Sequence, residues 1–327
     1  MVERSLLTAS LLIALLASPV ASAAETDPYY AWLHPPRDST DALNRGVNEI
    51  LADSLRELNH GWRWRQMSCP EAAHALVRPL FQTTTMWFFI GAMDGFKLDY
   101  VPRSNTDYRN GYQARGIYRD SILWKLGFVV PPDPTIRIRD IHISPDKLGH
   151  FFHEGFQYFR AYNSILGDGR PPEEAHKKAI WHGIYEESWI QGDFISGIFS
   201  YADLEANEQG LRFYRSLCDA ESPLLVKEAG GWRLLRELDF REYVNPCWDE
   251  SYYTSAFDPV VGEGVRRALR DYCGVRRWPE IERMFRRYDA EGCSSFSYRY
   301  LEELAAAGTI PDRRPFTVEA VCEASSP

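Results

Sequence analysis

The chain has no apolar run of the roughly 20 residues that a bilayer-spanning helix needs. Its two longest candidates are Leu6–Val20, about 15 residues, and Thr83–Met93, which runs straight into Asp94, Lys97 and Asp99. The second is expected in a core, and the mature chain is expected to hold no transmembrane segment. Cysteine never occurs as a CxxC pair, which removes zinc-ribbon and thioredoxin-like sites. Positive charge is in deficit: 37 Lys and Arg against 46 Asp and Glu give a formal net charge of -9, with a pI near 5.5. Nucleic acid is therefore not an expected partner. GxxxxGKS/T and GxGxxG phosphate loops are missing, as is a GxSxG nucleophile elbow, so ATP-driven, dinucleotide and serine-hydrolase chemistry lack their sequence basis. There is no 20–50-residue repeat and no low-complexity linker.

What is present begins with Arg4, the Leu6–Val20 run and Ala21-Ser22-Ala23, the layout of a cleaved secretory signal peptide over 1–23. The expected location is therefore the periplasm or the extracellular space. No cysteine lies beside that site, which argues against a lipid anchor. The remainder, 45% hydrophobic and 14% aromatic over the full chain, has enough apolar surface for a substantial core. Six cysteines, Cys69, Cys218, Cys247, Cys273, Cys293 and Cys322, allow up to three disulfides in fifteen pairings, and sequence does not choose among them.

Apolar periodicity sets the fold class. Tyr29–Pro36 reads as an extended lead-in, and Ser39 or Thr40 as the cap of a helix striped by Leu43, Val47, Ile50, Leu51, Leu55 and Leu58 and ended by Gly61. Glu71–Met93 reads as a helical stretch kinked or interrupted at Pro79, and Ile117–Gly127 as another, stopped by Pro131–Pro134. Ile136–Ile143 (IRIRDIHI) alternates with period two and is expected to form one strand. The expectation is a mainly α fold: a helical bundle-like core with a short strand or extended segment and a disulfide-secured C-terminal part. It divides into an N-terminal helical region (24–135), a central helix cluster with a polar core (136–218) and a cysteine-bearing C-terminal helical region (219–327).

The central region carries the chemistry. Ser144-Pro145 is a strong helix start. On the helix that it opens, Asp146, His150, His153 and Gln157 fall within about 40° of one line, with Lys147 and Glu154 on its flank. Phenylalanines and Leu148 cover much of the remaining circumference, so the polar line is expected to face an internal site. A second helix from Pro172 presents His182 and Glu186 four apart, beside Glu187. A third, capped by Ser200, presents Asp203, Asn207 and Gly210 at i, i+4 and i+7. Packed together, the three helices would gather Asp146, Lys147, His150, His153, Glu154, His182, Glu186, Glu187, Asp193, Asp203 and Asn207, with the Gly210 backbone exposed on the same stripe.

The succession DKLGHFF, GIYEESW and SYADLEANEQG, about a fifth of the chain, resembles the DKxxHF... E... SxxDxxANxxG pattern of VanZ-like proteins and related bacterial envelope proteins of undefined biochemistry. By that likeness Asp146, Lys147, His150, Glu187, Asp203, Asn207 and Gly210 occupy the signature positions. The chain lacks that family's membrane helices and adds more than a hundred residues on each side, and the resemblance carries no established reaction.

The cluster admits three readings. It is a structural polar network without cofactor, a pocket for a polar ligand, or the centre of a divalent-metal hydrolase acting on an envelope lipid or phosphoester, with His150, His182, Glu186 or Glu187, and Asp203 as ligands or acid–base groups. HFFHE is not the HExxH zinc signature, and Ser144 and Ser200 read as caps before nucleophiles. The favoured reading is a non-catalytic or polar-ligand-binding envelope role. Finally, Arg266, Arg267, Arg270, Arg276, Arg277, Arg283, Arg286 and Arg287 crowd into 266–287. This run could contact an anionic surface or another cell-envelope component, although Asp271, Glu280, Glu282 and Asp289 among them also suit an ordinary ion-paired face.

Overall fold

A computed structural model describes residues 27–85, 116–120, 135–189, 197–292, 296–310 and 317–323. The chain is mainly helical with a few short strands. Helix α1 (Thr40–Asn59) buries Leu43, Val47 and Leu51 against α2 (Cys69–Thr85), while Ile50, Leu55 and Leu58 sit half-buried at the edge of the stripe. Its first turn is capped by neither Ser39 nor Thr40. The Asp38 carboxylate accepts both the Thr40 amide and its hydroxyl, and the buried Thr40 Oγ1 in turn accepts the Arg139 amide at 2.8 Å. Helix α2 is opened by Glu71, which accepts the Ser68 amide and hydroxyl at 2.7 and 2.8 Å, the carboxylate half of a capping box. It continues through Pro79 to Thr85; the rest of the expected stretch, 86–93, lies outside the described residues. The lead-in is not extended throughout, since Tyr30–Leu33 form one helical turn. Ile117 and Tyr118 belong to a turn rather than a helix, and 121–127 lies outside the described residues.

IRIRDIHI is a hairpin, not one strand: β1 (Ile136–Ile138) pairs antiparallel with β2 (Ile141–Ile143), Ile138 opposite Ile141. The reason is visible in the phase. Ile136 and Ile138 alternate, then Ile141 and Ile143 resume three residues on, so a single strand would split the isoleucines between two faces. A two-residue turn at Arg139-Asp140 returns all four to one face, and all four are buried.

The central helix α3 comes next, in three continuous parts: Asp146–Gly149, a π turn over His150–Glu154, and Gly155–Gly167. Ser144 does not cap it by its side chain. It packs between α4 (Pro172–Trp189) and α5 (Tyr201–Leu217). Strand β3 (Ile198–Phe199) leads into α5 and pairs with β6 (Ala256–Phe257), which binds the C-terminal region to the centre.

The C-terminal region is not wholly helical. Leu225–Glu228 (β4) and Gly231–Leu234 (β5) form a hairpin closed at Ala229-Gly230, a turn chemistry the helical expectation overlooked. The last residue of α1 serves as this hairpin's edge partner: Asn59 accepts the Trp232 amide at 2.7 Å and donates to its carbonyl at 2.8 Å. Helices α6 (Pro259–Leu269), α7 (Pro279–Glu291), α8 (Phe296–Ala306) and α9 (Val318–Glu323) complete the described chain. The buried apolar residues of all these regions form one cluster. Disulfides join Cys69 to Cys218 and Cys273 to Cys322, and Cys247 is also disulfide-bonded. Among the described residues no helix is long and apolar enough to cross a membrane.

One face of α5 is matched to the π turn residue by residue. Asn207 meets His150, Gly210 lies under the Phe151 carbonyl, and the Tyr214 hydroxyl donates to the Phe152 carbonyl at 2.7 Å. A Cβ on Gly210 would stand 2.1 Å from the Phe151 oxygen and 2.8 Å from the Gly155 Cα. Gly210 therefore serves helix contact and is not an exposed backbone site. Gly210→Ala is expected to cost about 1–3 kcal/mol by overpacking, read as a lower urea midpoint, whereas Gly230→Ala, which meets nothing within 4 Å, should shift it little.

Candidate functional site

The sequence-predicted cluster assembles around the ammonium of Lys147, which is wholly buried. Its Nζ lies 2.6 Å from Asp203 Oδ1, 2.8 Å from Glu250 Oε1 and 3.2 Å from Asp146 Oδ2. These carboxylates come from α5, from the turn preceding β6, and from Lys147's own helix. A buried ammonium is tolerable only with such partners, because its lost hydration must be replaced by charge and hydrogen bonds. Ser200 serves two of the partners: its Oγ accepts the Asp203 amide at 3.3 Å as helix cap and donates to Glu250 Oε1 at 2.9 Å.

His150 extends the network. Its Nε2 lies 3.2 Å from Asp203 Oδ2. Oriented to satisfy its surroundings, the Asn207 amide nitrogen lies 3.2 Å from His150 Nδ1, the His150 carbonyl and the Asp203 carbonyl, and shares its two hydrogens among these acceptors. That arrangement makes Nδ1 an acceptor and leaves Nε2–H to donate to Asp203. Both ring nitrogens are thus occupied within the protein.

The π turn sets the orientation of the side chains beyond His150. A turn widened by about one residue sets every later side chain back by about 100° on the helix, so the next residue takes the place a regular helix gives to its predecessor. Glu154 is consequently buried where His153 was expected, and His153 is swung to the rim, its side chain 35% exposed and its Nδ1 2.8 Å from Glu154 Oε1. Gln157 is half-buried. His182 is half-buried on α4 and close enough for its charge to act on Glu154. Glu187, beyond it, is buried and faces Asp203, Lys147 and Glu154. The side chain of Glu186 and the whole of Asp193 lie outside the described residues.

Two participants escaped the sequence reading. Glu250 completes the Lys147 cage, and its neighbour Asp249 points the other way into a second buried network. There Asp249 accepts from Ser251 and from the Tyr288 hydroxyl, the latter at 3.0 Å, with His142 Nδ1 4.0 Å away. Both lie in NPCWDES, an irregular turn with no period to expose them; the hint was a carboxylate pair set directly after Cys247-Trp248.

One ammonium cannot neutralise all the surrounding acids. Burial, and then the Asp203 charge, push Glu187 well above the usual carboxylate range. Burial also raises Glu250, with Asp146 and Asp203 opposing the pull of Lys147. Asp249 is raised by burial to about 6. Asp27, which accepts the Tyr29, Tyr30 and Ile117 amides, is raised by burial to about 7. Burial holds His142 down at about 4.

As a metal centre the site is incomplete among the described residues. Asp146, His150 and Asp203 offer ligand atoms within 4.8 Å of one another, but His182 is not in that group, and Lys147 Nζ already sits against both aspartates. An ion there would have to displace a paired ammonium.

Lys147→Met keeps much of the side-chain volume and leaves the carboxyls without their cation. It is expected to cost about 3–5 kcal/mol, measured by denaturant unfolding. The raised acids bind protons more tightly folded than unfolded, so stability should rise as pH falls from 8 to about 6.5. Below 6.5, His142, whose folded pKa is depressed, begins to oppose them. A thermal melt series over that range checks the slope, and Asp27→Asn should flatten its portion near pH 7.

Compared with family models, with curated proteins and with solved structures, this chain matches none.

Proposed function

We propose that this is an exported envelope protein with a non-catalytic role, in which the Lys147 network is a structural core and the half-buried rim of His153 and His182, backed by the buried Glu154, receives a polar ligand. The observation that carries this reading is the occupancy of the cluster's centre: a fully buried ammonium held by three carboxylates at 2.6–3.2 Å. Both nitrogens of His150 are also engaged, which leaves that ring no free position for a substrate or a metal. Catalysis needs a group poised to change partners, and Lys147 is held on three sides by carboxylates that are themselves buried. The rim is different, because His153 reaches solvent while paired to Glu154.

Export is supported by the Arg4, Leu6–Val20 and Ala21-Ser22-Ala23 layout and by the disulfides, which persist in oxidising compartments. Kinship with VanZ-like proteins rests on the DKxxHF... E... SxxDxxANxxG succession alone.

The second reading, a metal-dependent hydrolase, is favoured by the carboxylate–histidine donor set of Asp146, His150 and Asp203. Elemental analysis and thermal unfolding of protein purified without chelator separate the two. The structural reading expects no stoichiometric metal, no change of Tm with EDTA, a large loss of Tm in Asp203→Ala, and a near-native Tm in His153→Ala and His182→Ala. A stoichiometric divalent ion that Asp203→Ala loses while staying folded would establish the hydrolase reading instead.

A further inference from the structure

The arginine-rich stretch is not one uniform surface. On α7 the cations are consumed locally: Arg283 pairs with Glu280, Arg286 with Glu282, and Arg287 with Asp140. Arg276 pairs with Glu319 and lies over the Phe285 ring, 3.8 Å from its centroid. Arg267 and Arg270, at the end of α6, and Arg277, in the turn before α7, are exposed and make no ion pair among the described residues. Beside Arg277 stands Trp278, 45% exposed, on a connection that the Cys273–Cys322 disulfide ties to α9. Of the acids close to them in sequence, Asp271 pairs with Arg119 and Glu280 with Arg283, while Glu263 stands one turn before Arg267 on α6.

We infer that Arg267, Arg270, Arg277 and Trp278 form a docking knuckle for an anionic phospholipid surface. The residue types point to this occupant. Unpaired guanidiniums in an acidic protein favour a dense anionic partner and bind headgroup phosphates in a bidentate manner. An exposed indole beside them has the apolar body and N–H that partition to a bilayer's headgroup level. A dissolved polyanion would use the arginines and leave the indole in water. The Cys273–Cys322 disulfide ties the backbone between Arg270 and Arg277 to α9, which lowers the backbone ordering that docking would require. This inference is independent of the polar rim near His153.

The test is co-sedimentation of the purified chain with vesicles of mixed phosphatidylglycerol and phosphatidylcholine, beside phosphatidylcholine alone. Binding is expected only to the anionic vesicles, to weaken steeply with salt, and to fall roughly 100-fold in R267Q/R270Q/R277Q, at about 1 kcal/mol per arginine near an anionic surface. Trp278→Ala should weaken binding at unchanged charge, and the control R283Q/R286Q, whose guanidiniums are already paired, should bind like the parent. All of these positions are exposed, and circular dichroism with a melt confirms the fold of each variant. The inference is overturned if the anionic vesicles are not bound, if the triple variant binds them undiminished, if the control loses as much as the triple variant, or if soluble polyphosphate is bound and vesicles are not.

Discussion

A single buried ammonium organises the middle of this protein. Removing Lys147 from water has a cost of several kcal/mol that only close acidic partners offset, and those partners lie on elements far apart in sequence. Asp203 must therefore stand at the start of α5 directly beside the start of α3, and Glu250 must be returned to the same place by the C-terminal region. Given that fixed point, the two helices run on in contact, and the Asn207, Gly210 and Tyr214 face of α5 accepts the widened turn of α3. The π turn is tolerated because its neighbour satisfies it: Tyr214 takes up the Phe152 carbonyl and Asn207 the His150 carbonyl.

The helical stripes were legible because a 3.6-residue period is a local property, and two of the three helices they predicted, α3 and α5, do bring Asp146, Lys147, His150, Asp203 and Asn207 together, with Glu187 of α4 buried beside them. Where the period failed, a local departure from regular geometry was responsible. One extra residue in the π turn exchanged His153 and Glu154 between rim and interior. In IRIRDIHI the phase slip between Ile138 and Ile141 announced a hairpin, and alternation alone concealed it. Glu250 was out of reach altogether: it sits in a turn, and nothing in its own neighbourhood says that its partner is Lys147. The β4–β5 hairpin carried a turn signal in Ala229-Gly230-Gly231 that the surrounding helical tone masked. Gly210 was recognised as special for the wrong reason, since a residue without Cβ serves close helix contact as readily as ligand access.

The Asp249-Glu250 pair joins two buried networks through a single peptide unit. Glu250 faces Lys147 and Ser200, while Asp249 faces Ser251, Tyr288 and, farther off, His142. The C-terminal region thus supplies a necessary counter-charge to the centre, and the same turn receives the hydroxyl of α7's Tyr288. The three stretches that look separable in sequence accordingly share one apolar cluster and a polar seam as well.

The distance along the chain between Lys147 and Glu250, 103 residues, bears on the order of assembly. A chain emerging from its N-terminus can form α3, α4 and α5 early, since their contacts are close in sequence. Until residue 250 arrives, however, the nascent bundle lacks one of the three carboxylates that contact its ammonium, and the Cys247 sulfur has not yet appeared. The cage around Lys147 is thus completed only by the last quarter of the polypeptide. Truncation upstream of that turn would therefore yield a species that folding helpers and proteases treat as unfinished, however complete its helices look.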